Sequence, residues 1–220
     1  MNIVLIGVPG SGKGTQAKLL AKELRLNLIP TGDLLREAVR KKEKLGRQAQ
    51  TFMQKGELVP DEIILKLIEK KIKEKGSGRG FVLDGFPRTC AQAQGLEKVL
   101  KEIGKKIDAV VKLNILGKVA KQRLSSRWVC PNCEANFNQK TKSPKKSGIC
   151  DSCGERLEKR FDDQPETVCF RLRVYQKKTK PIEDYYKKKS ILKVVDGDGE
   201  PEKVKKRILT ILKKDENISE

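Results

Sequence analysis

The strongest chemical signal in this 220-residue chain is Gly7-Val8-Pro9-Gly10-Ser11-Gly12-Lys13-Gly14-Thr15. Glycines let the backbone turn until successive N–H groups point inward. The start of a following helix adds its own unpaired donors, so the run forms a nest for an anion. Lys13 supplies a point charge for the β- and γ-phosphates of a nucleoside triphosphate. The expected phosphate ligands are therefore Gly10, Ser11, Gly12, Lys13, Gly14 and Thr15. In the usual form of the motif a Ser or Thr follows the lysine directly. Here Gly14 intervenes, so a direct bond from Thr15 to magnesium does not follow from the pattern. Such a loop serves ATPases, GTPases and small-molecule kinases alike.

A second run, Phe81-Val82-Leu83-Asp84-Gly85-Phe86-Pro87-Arg88, narrows the choice. An aspartate ending a buried apolar strand can face the phosphate loop, where Asp84 would hold Mg2+ directly or through water. Arg88, four residues on, is placed to clamp a phosphate. The chain contains no histidine, which removes the usual general base and the commonest metal ligand.

The six cysteines include two close pairs, Cys130-Pro131-Asn132-Cys133 and Cys150-Asp151-Ser152-Cys153, separated by 16 residues. Four thiolates at this spacing surround one tetrahedral Zn2+ in a closed, structural site, with iron as the alternative occupant. The stretch around them is polar, and a metal there replaces a hydrophobic core. Cys90 and Cys169 lie outside the pattern and are expected to be buried small residues.

These groups need a frame. Asn2–Gly7, Leu26–Pro30, Gly80–Leu83, Ile107–Leu113 and Ile191–Val195 read as short strands. Helical spacing runs through Gly14–Leu24, Leu34–Lys42, Gly46–Lys55, Asp61–Lys75, Thr89–Ile103, Gly117–Arg127, Thr167–Lys189 (broken at Pro181) and Glu202–Lys213. Alternation of strand and helix implies an α/β fold with a parallel sheet. Val129–Leu157 interrupts the rhythm as an insertion, 76–80 reads as a loop, and Asp215–Glu220 is expected to fray. The opening apolar run is short and lacks a basic leader, so it reads as a strand and not a signal peptide. No segment reaches the ~20 apolar residues of a membrane span. A cytoplasmic protein with metal-binding thiols is the expectation.

Lysine and arginine total 49 against 29 aspartates and glutamates, a formal charge of +20. A positive field attracts phosphate in nucleotides, nucleic acids or lipid headgroups. Most of the excess reads as a solvated lysine-rich surface.

GVPGSGKGTQ, TGDLLR, GELVPD, FVLDGFPRT and RFDD occur in that order over nearly the whole chain. In this the sequence resembles the adenylate kinase family, in its long-lid form. The resemblance implies a P-loop three-layer fold with a five-stranded parallel sheet. It implies a core of residues 1–29, 60–126 and 162–220, a helical AMP-binding arm at 30–59 and a zinc-stapled lid at 127–161. AMP would meet Thr31, Arg36, the backbone of Glu57, Leu58 and Val59, then Gly85, Phe86, Pro87, Arg88 and Gln92. The glutamine amide offers a donor and an acceptor to adenine. Arg123 would stack on the donor base, and Asn136 and Phe137 would lie near the donor nucleotide. Lys13, Arg88, Arg127, Arg160 and Arg171 would act on the transferring phosphate, with Arg160 and Arg171 also reaching AMP. Asp162 and Asp163 resemble contacts that hold a lid closed. Arginine forks match phosphate oxygens and stabilise the charge that spreads in phosphoryl transfer. An AMP phosphate is already anionic at neutral pH, so no general base is needed. The implied partners are ATP, AMP, ADP, Mg2+ and structural Zn2+, with no specific nucleic acid, no membrane, and a monomer because the lid must swing.

Two alternatives stand beside this reading. One keeps the fold and takes GTP as donor. The other is a nucleic-acid-binding protein with a zinc ribbon, favoured by the basic run Lys140–Lys146. Against the latter, aromatic residues are only 5% and are not interleaved with the basic ones.

Overall fold

Strands that are apolar on both faces have one stable place, between two layers of helices. A computed structural model of the protein describes residues 1–75, 78–139 and 142–216. Part of the expected 76–80 loop, Lys140 and Thr141 of the basic run and the last four residues of the expected fraying tail lie outside them. Five strands form one parallel sheet: β1 (Asn2–Ile6), β2 (Asn27–Pro30), β3 (Phe81–Asp84), β4 (Ala109–Asn114) and β7 (Leu192–Asp196), in the order β2-β3-β1-β4-β7. Along β1 the side chains alternate between two cores. Val4 and Ile6 face one, with α4 (Asp61–Lys75), α5 (Cys90–Glu102) and α8 (Pro181–Lys188). Ile3 and Leu5 face the other, with α1 (Lys13–Glu23) and α9 (Pro201–Glu216). The register sets Leu5 of β1 beside Asp84 of β3, so the phosphate loop and Asp84 leave the sheet at its carboxyl end, where ligands of open α/β folds bind.

Several boundaries differ from the expectations above. α2 begins at Thr31 and ends at Arg40, three residues ahead of the expected start, and α3 runs over Lys44–Lys55. The expected helix to Arg127 stops as α6 (Gly117–Ser125), because Arg127–Val129 pairs as β5 with β6 (Asn136–Asn138). Tertiary pairing overrides local propensity there. The long helix divides into α7 (Pro165–Val174), a π-helical turn over Tyr175–Thr179, and α8. Pro181 has no N–H to continue the regular ladder, and the wide turn stands just before it. Asp215 and Glu216 belong to α9, not to a frayed tail. Cys169 is exposed and Cys90 half-buried, so neither is the fully buried residue expected. Thr89 caps α5, accepting from the Gln92 N–H at 3.0 Å.

The insertion has a core of its own, made of Cys130, Phe137, Cys150 and Leu157, with Trp128 and Ala135 against it. Four buried side chains, two of them cysteines, cannot offset the entropy of ordering some thirty residues, and a metal at the four cysteines would stand in for the missing core. At the other end of the cleft α2 and α3 pack so closely that a Cβ on Gly46 would sit 2.1 Å from the Ala38 carbonyl oxygen. Gly46→Ala is expected to cost about 1–3 kcal/mol through this clash. A thermal melt should show Tm falling by roughly 2–10 °C for a chain of this size.

Candidate active site

The phosphate loop joins β1 to α1, and its shape needs glycine. Gly10 takes φ +86°, and a Cβ there would lie 2.6 Å from the Ala120 carbonyl of α6. Gly12 caps α1 with φ 93° and no side-chain cap bond, leaving the first helical N–H groups to the cleft. Lys13 folds back over the loop. Its ammonium donates to the carbonyls of Gly7 at 2.7 Å and Val8 at 3.0 Å. Desolvation there brings its pKa down to about 8; Asp84 resists the shift, while Arg88, Arg171 and Arg127 add to it. Burial also raises the Asp84 pKa, opposed mainly by Lys13.

Above the loop the arginines converge, threaded with carboxylates. Asp163 receives Arg127 through Nε at 2.7 Å and a second nitrogen at 2.6 Å, and Arg171 at 2.8 Å. Asp162 takes Arg171 at 3.2 Å and Arg36 at 3.4 Å. Asp33 takes Arg36 at 2.5 Å and Arg160 at 3.1 Å. Burial works to raise the Asp162 pKa, yet Arg171 and Arg36 outweigh it and hold it at about 2. Arg88 differs from the rest. Among the described residues its guanidinium has no carboxylate in ion-pair range, and its Nε donates to the Gly85 carbonyl at 2.6 Å. Burial, then the Arg171 charge, bring Arg88 down to about 10. Burial and the Arg36 charge bring Arg160 to about 9. Both remain cations at neutral pH, in a setting that favours an added anion.

Two cavities open on this cluster. The larger is lined by the phosphate loop through Thr15, by Asp84, Arg123, Arg127, Asn136 and Phe137, and by Arg160. The smaller is lined by Thr31, Glu57, Leu58, Val59, Phe86 and Gln92. Gly85, Arg36, Arg88 and Arg171 line both.

The four cysteine sulfurs all lie within 4.8 Å of one another. Cys130 and Cys153 are 3.4 Å apart, as are Cys133 and Cys150. The edge of a ZnS4 tetrahedron is about 3.8 Å, so these residues can hold one metal ion. The Cys133 and Ser152 N–H groups point at the sulfurs of Cys130 and Cys150, as suits thiolate acceptors.

A family model described as adenylate kinase matches residues 5–191. The chain is 45% identical over 212 residues to the adenylate kinase of Caldicellulosiruptor bescii, covering 96% of this chain and 99% of the relative. It is 46% identical to that of Archaeoglobus fulgidus, covering 97% and 99%. With the adenylate kinase of Staphylococcus aureus the identity is 42%, covering 96% and 99%. The chain belongs to the adenylate kinase family. That membership does not favour the nucleic-acid reading.

In this adenylate kinase family member every residue expected to touch a nucleotide lines one cavity or both, Pro87 included. Gln92 is committed in part: its Nε2 donates to Asp61 at 2.6 Å and its Oε1 accepts from the Arg88 N–H at 2.7 Å. Each end keeps one further hydrogen-bonding valence. Arg123 is tethered to Asp198 at 2.9 Å and to the Gly197 carbonyl at 3.2 Å. The sequence reading did not assign Asp33, nor the turn after β7, where Gly197, Gly199 and Pro201 line the larger cavity. Position at the carboxyl end of a sheet strand was the available signal for that turn. Lys142, Gln16 and the π-turn residues Tyr175 and Thr179 also line the cavity and went unassigned. Among the described residues no helix is long and apolar enough to cross a membrane.

The lowered Lys13 pKa has a measurable consequence. An unfolded lysine keeps its proton to about pH 10.4, whereas the folded one releases it near 8. Between these values the unfolded state binds more protons, so this group's contribution to stability rises with pH. Urea unfolding of the parent and of Lys13→Met at pH 7.5 to 10.5 should show the parent gaining relative to the variant across that window.

Proposed function

We propose that the protein is an ATP:AMP phosphotransferase, catalysing ATP + AMP to 2 ADP reversibly. One observation carries the reading: a cavity built on a triphosphate-binding loop and a second, smaller cavity share Arg36, Arg88 and Arg171 as a common wall. Two nucleotides set end to end would bring their phosphates together there.

The donor triphosphate lies in the loop formed by Gly10–Thr15, with Lys13 exchanging its loop carbonyls for phosphate oxygens. Arg123 and the 197–201 turn flank the donor base, with Asn136 and Phe137 above it. AMP occupies the smaller cavity against Thr31, Arg36, the 57–59 backbone, Gly85, Phe86, Arg88 and Gln92, with Pro87 reaching it from the wall of the larger cavity. Its phosphate is the nucleophile and needs no base. Arg88, Arg127, Arg160 and Arg171 bear on the transferring group, where fixed cations in a water-poor site stabilise the spreading charge. The carboxylates of Asp33, Asp162 and Asp163 hold Arg36, Arg127, Arg160 and Arg171 in place, while Arg88 rests on the Gly85 carbonyl. Mg2+, held by Asp84 directly or through water, would neutralise the β- and γ-phosphate oxygens. Cys130, Cys133, Cys150 and Cys153 would hold a structural Zn2+, since four thiolates leave no open position for a substrate. We divide the chain into a core (1–29, 60–126, 162–220), an AMP arm (30–59) and a lid (127–161). A monomer in a reducing cytoplasm fits the free thiols and a lid that must move.

A coupled assay should show ADP formed from ATP and AMP, with GTP tested as donor and CMP, UMP and GMP as acceptors. Failure with AMP would sink the reading, and strong GTP preference would change the donor. Arg88→Ala is expected to lower kcat by about 10²–10³-fold, with Tm little changed. Replacing Cys130 and Cys133 by Ser should lower Tm by several degrees while leaving turnover at low temperature largely intact.

A further inference from the structure

Glu134 follows the second cysteine of the insertion and takes φ 57°. The other described non-glycine residues with positive φ are Arg25, Lys42 and Ser190. Those three stand just past helices, where a left-handed residue is common. Glu134 is different. It closes the turn that carries Cys130 and Cys133, its N–H donating to the Cys130 carbonyl at 3.0 Å. At the matching place after Cys153 stands Gly154 with φ 75°, in a backbone region that glycine enters freely and other L-residues enter at a cost. What the side chain gains lies across the cleft. Its carboxylate stands 3.7 Å from the Arg40 guanidinium, and that guanidinium also donates to the Pro131 carbonyl. The Glu134 carbonyl accepts from Lys18 Nζ at 3.1 Å. Arg40 belongs to the last turn of α2 and Lys18 to α1. The cysteine turn therefore grips two helices at once. None of these four residues lines either cavity.

This position sets the contact apart from the inner ion pairs. Arg36–Asp162 and Arg160–Asp33 also join the insertion side to α2, but they engage arginines that incoming phosphates need. Arg40 and Glu134 compete with no ligand, so their contact can persist with the cleft empty or filled.

We propose that Arg40 and Glu134 are positioning residues that latch the four-cysteine turn onto α2 and so set how often the cleft is shut. The inference rests on the lid-and-arm reading above. Pro131 and Glu134 flank or adjoin cysteines of the metal cluster, so the latch also ties the state of that cluster to closure.

The test is amide hydrogen exchange on the ligand-free, metal-loaded protein. Arg40→Ala and Glu134→Gly should each speed exchange several-fold in residues 31–40 and 130–138. Glu134→Gly should keep a Tm at or above the parent's, because glycine relieves the left-handed turn while deleting the carboxylate. Removing the metal with a chelator should open the α2 amides of the parent and add little in Arg40→Ala. Unchanged exchange in α2, or faster exchange spread over the whole chain with a lower Tm in Glu134→Gly, overturns the latch. A second readout is the dissociation constant of two adenosines joined by five phosphates. It should rise about 2- to 5-fold in each single variant, with the double variant weaker by less than the product of the two. Multiplicative effects also overturn the proposal. If the parent does not bind that compound, the nucleotide reading fails, and hydrogen exchange still decides the latch.

Discussion

Like charges repel, and a fold that gathers six arginines and two lysines around one cleft must supply the opposing charge itself. Asp33, Asp162 and Asp163 do so by alternating with the arginines, and Asp84 faces Lys13. Each carboxylate orients the guanidinium it touches without filling the space beyond it. Arg88, paired only with a backbone carbonyl among the described residues, marks where the network is left short of negative charge. The rest of the architecture can be read as support for this arrangement: the carboxyl end of the sheet delivers the phosphate loop and Asp84, α2 delivers Arg36, and the segment after the insertion delivers Arg160 and both aspartates.

The ion pairs also describe a balance. A carboxylate beside an arginine in a partly buried site lowers the cost of keeping that cation in place. It also occupies a donor that a phosphate oxygen would otherwise use. An anion bound there would therefore exchange one set of partners for another and not simply add contacts.

Much of this was legible in the sequence because the groups that do chemistry sit in compact runs. The glycine loop points to a phosphate and the paired cysteines to a metal through their spacing, whereas an AMP role for the Gly85–Arg88 run came from the resemblance to the family. The five-strand frame was legible for a different reason: buried parallel strands are continuous apolar runs, and the helices between them keep a clear period. What escaped were features fixed by distant contacts. β5 and β6 are three-residue strands set by pairing with each other and by bridges from Val129 to Glu158 and from Asn138 to Lys142. The turn at Gly197–Pro201 carries no side chain that names a nucleotide, and it joins the site only because β7 ends beside β4. Glu134 looks like one more charge in a polar loop until its backbone conformation and its neighbour across the cleft are seen. Cys169 was misplaced by its type, since a free thiol is usually buried and this one stands on an exposed face of α7.

The π-helical turn between α7 and α8 acts as a phase corrector. Its closing bond runs from the Lys180 N–H back to the Tyr175 carbonyl, spanning one residue more than an α-helical turn. Wound regularly, the same residues would rotate everything after them by about 100° relative to α7. Arg171 could then face the cleft only if Ile182 and Tyr186 swung away from the sheet. The widened turn lets one near-continuous rod present a charged face at one end and a greasy face at the other.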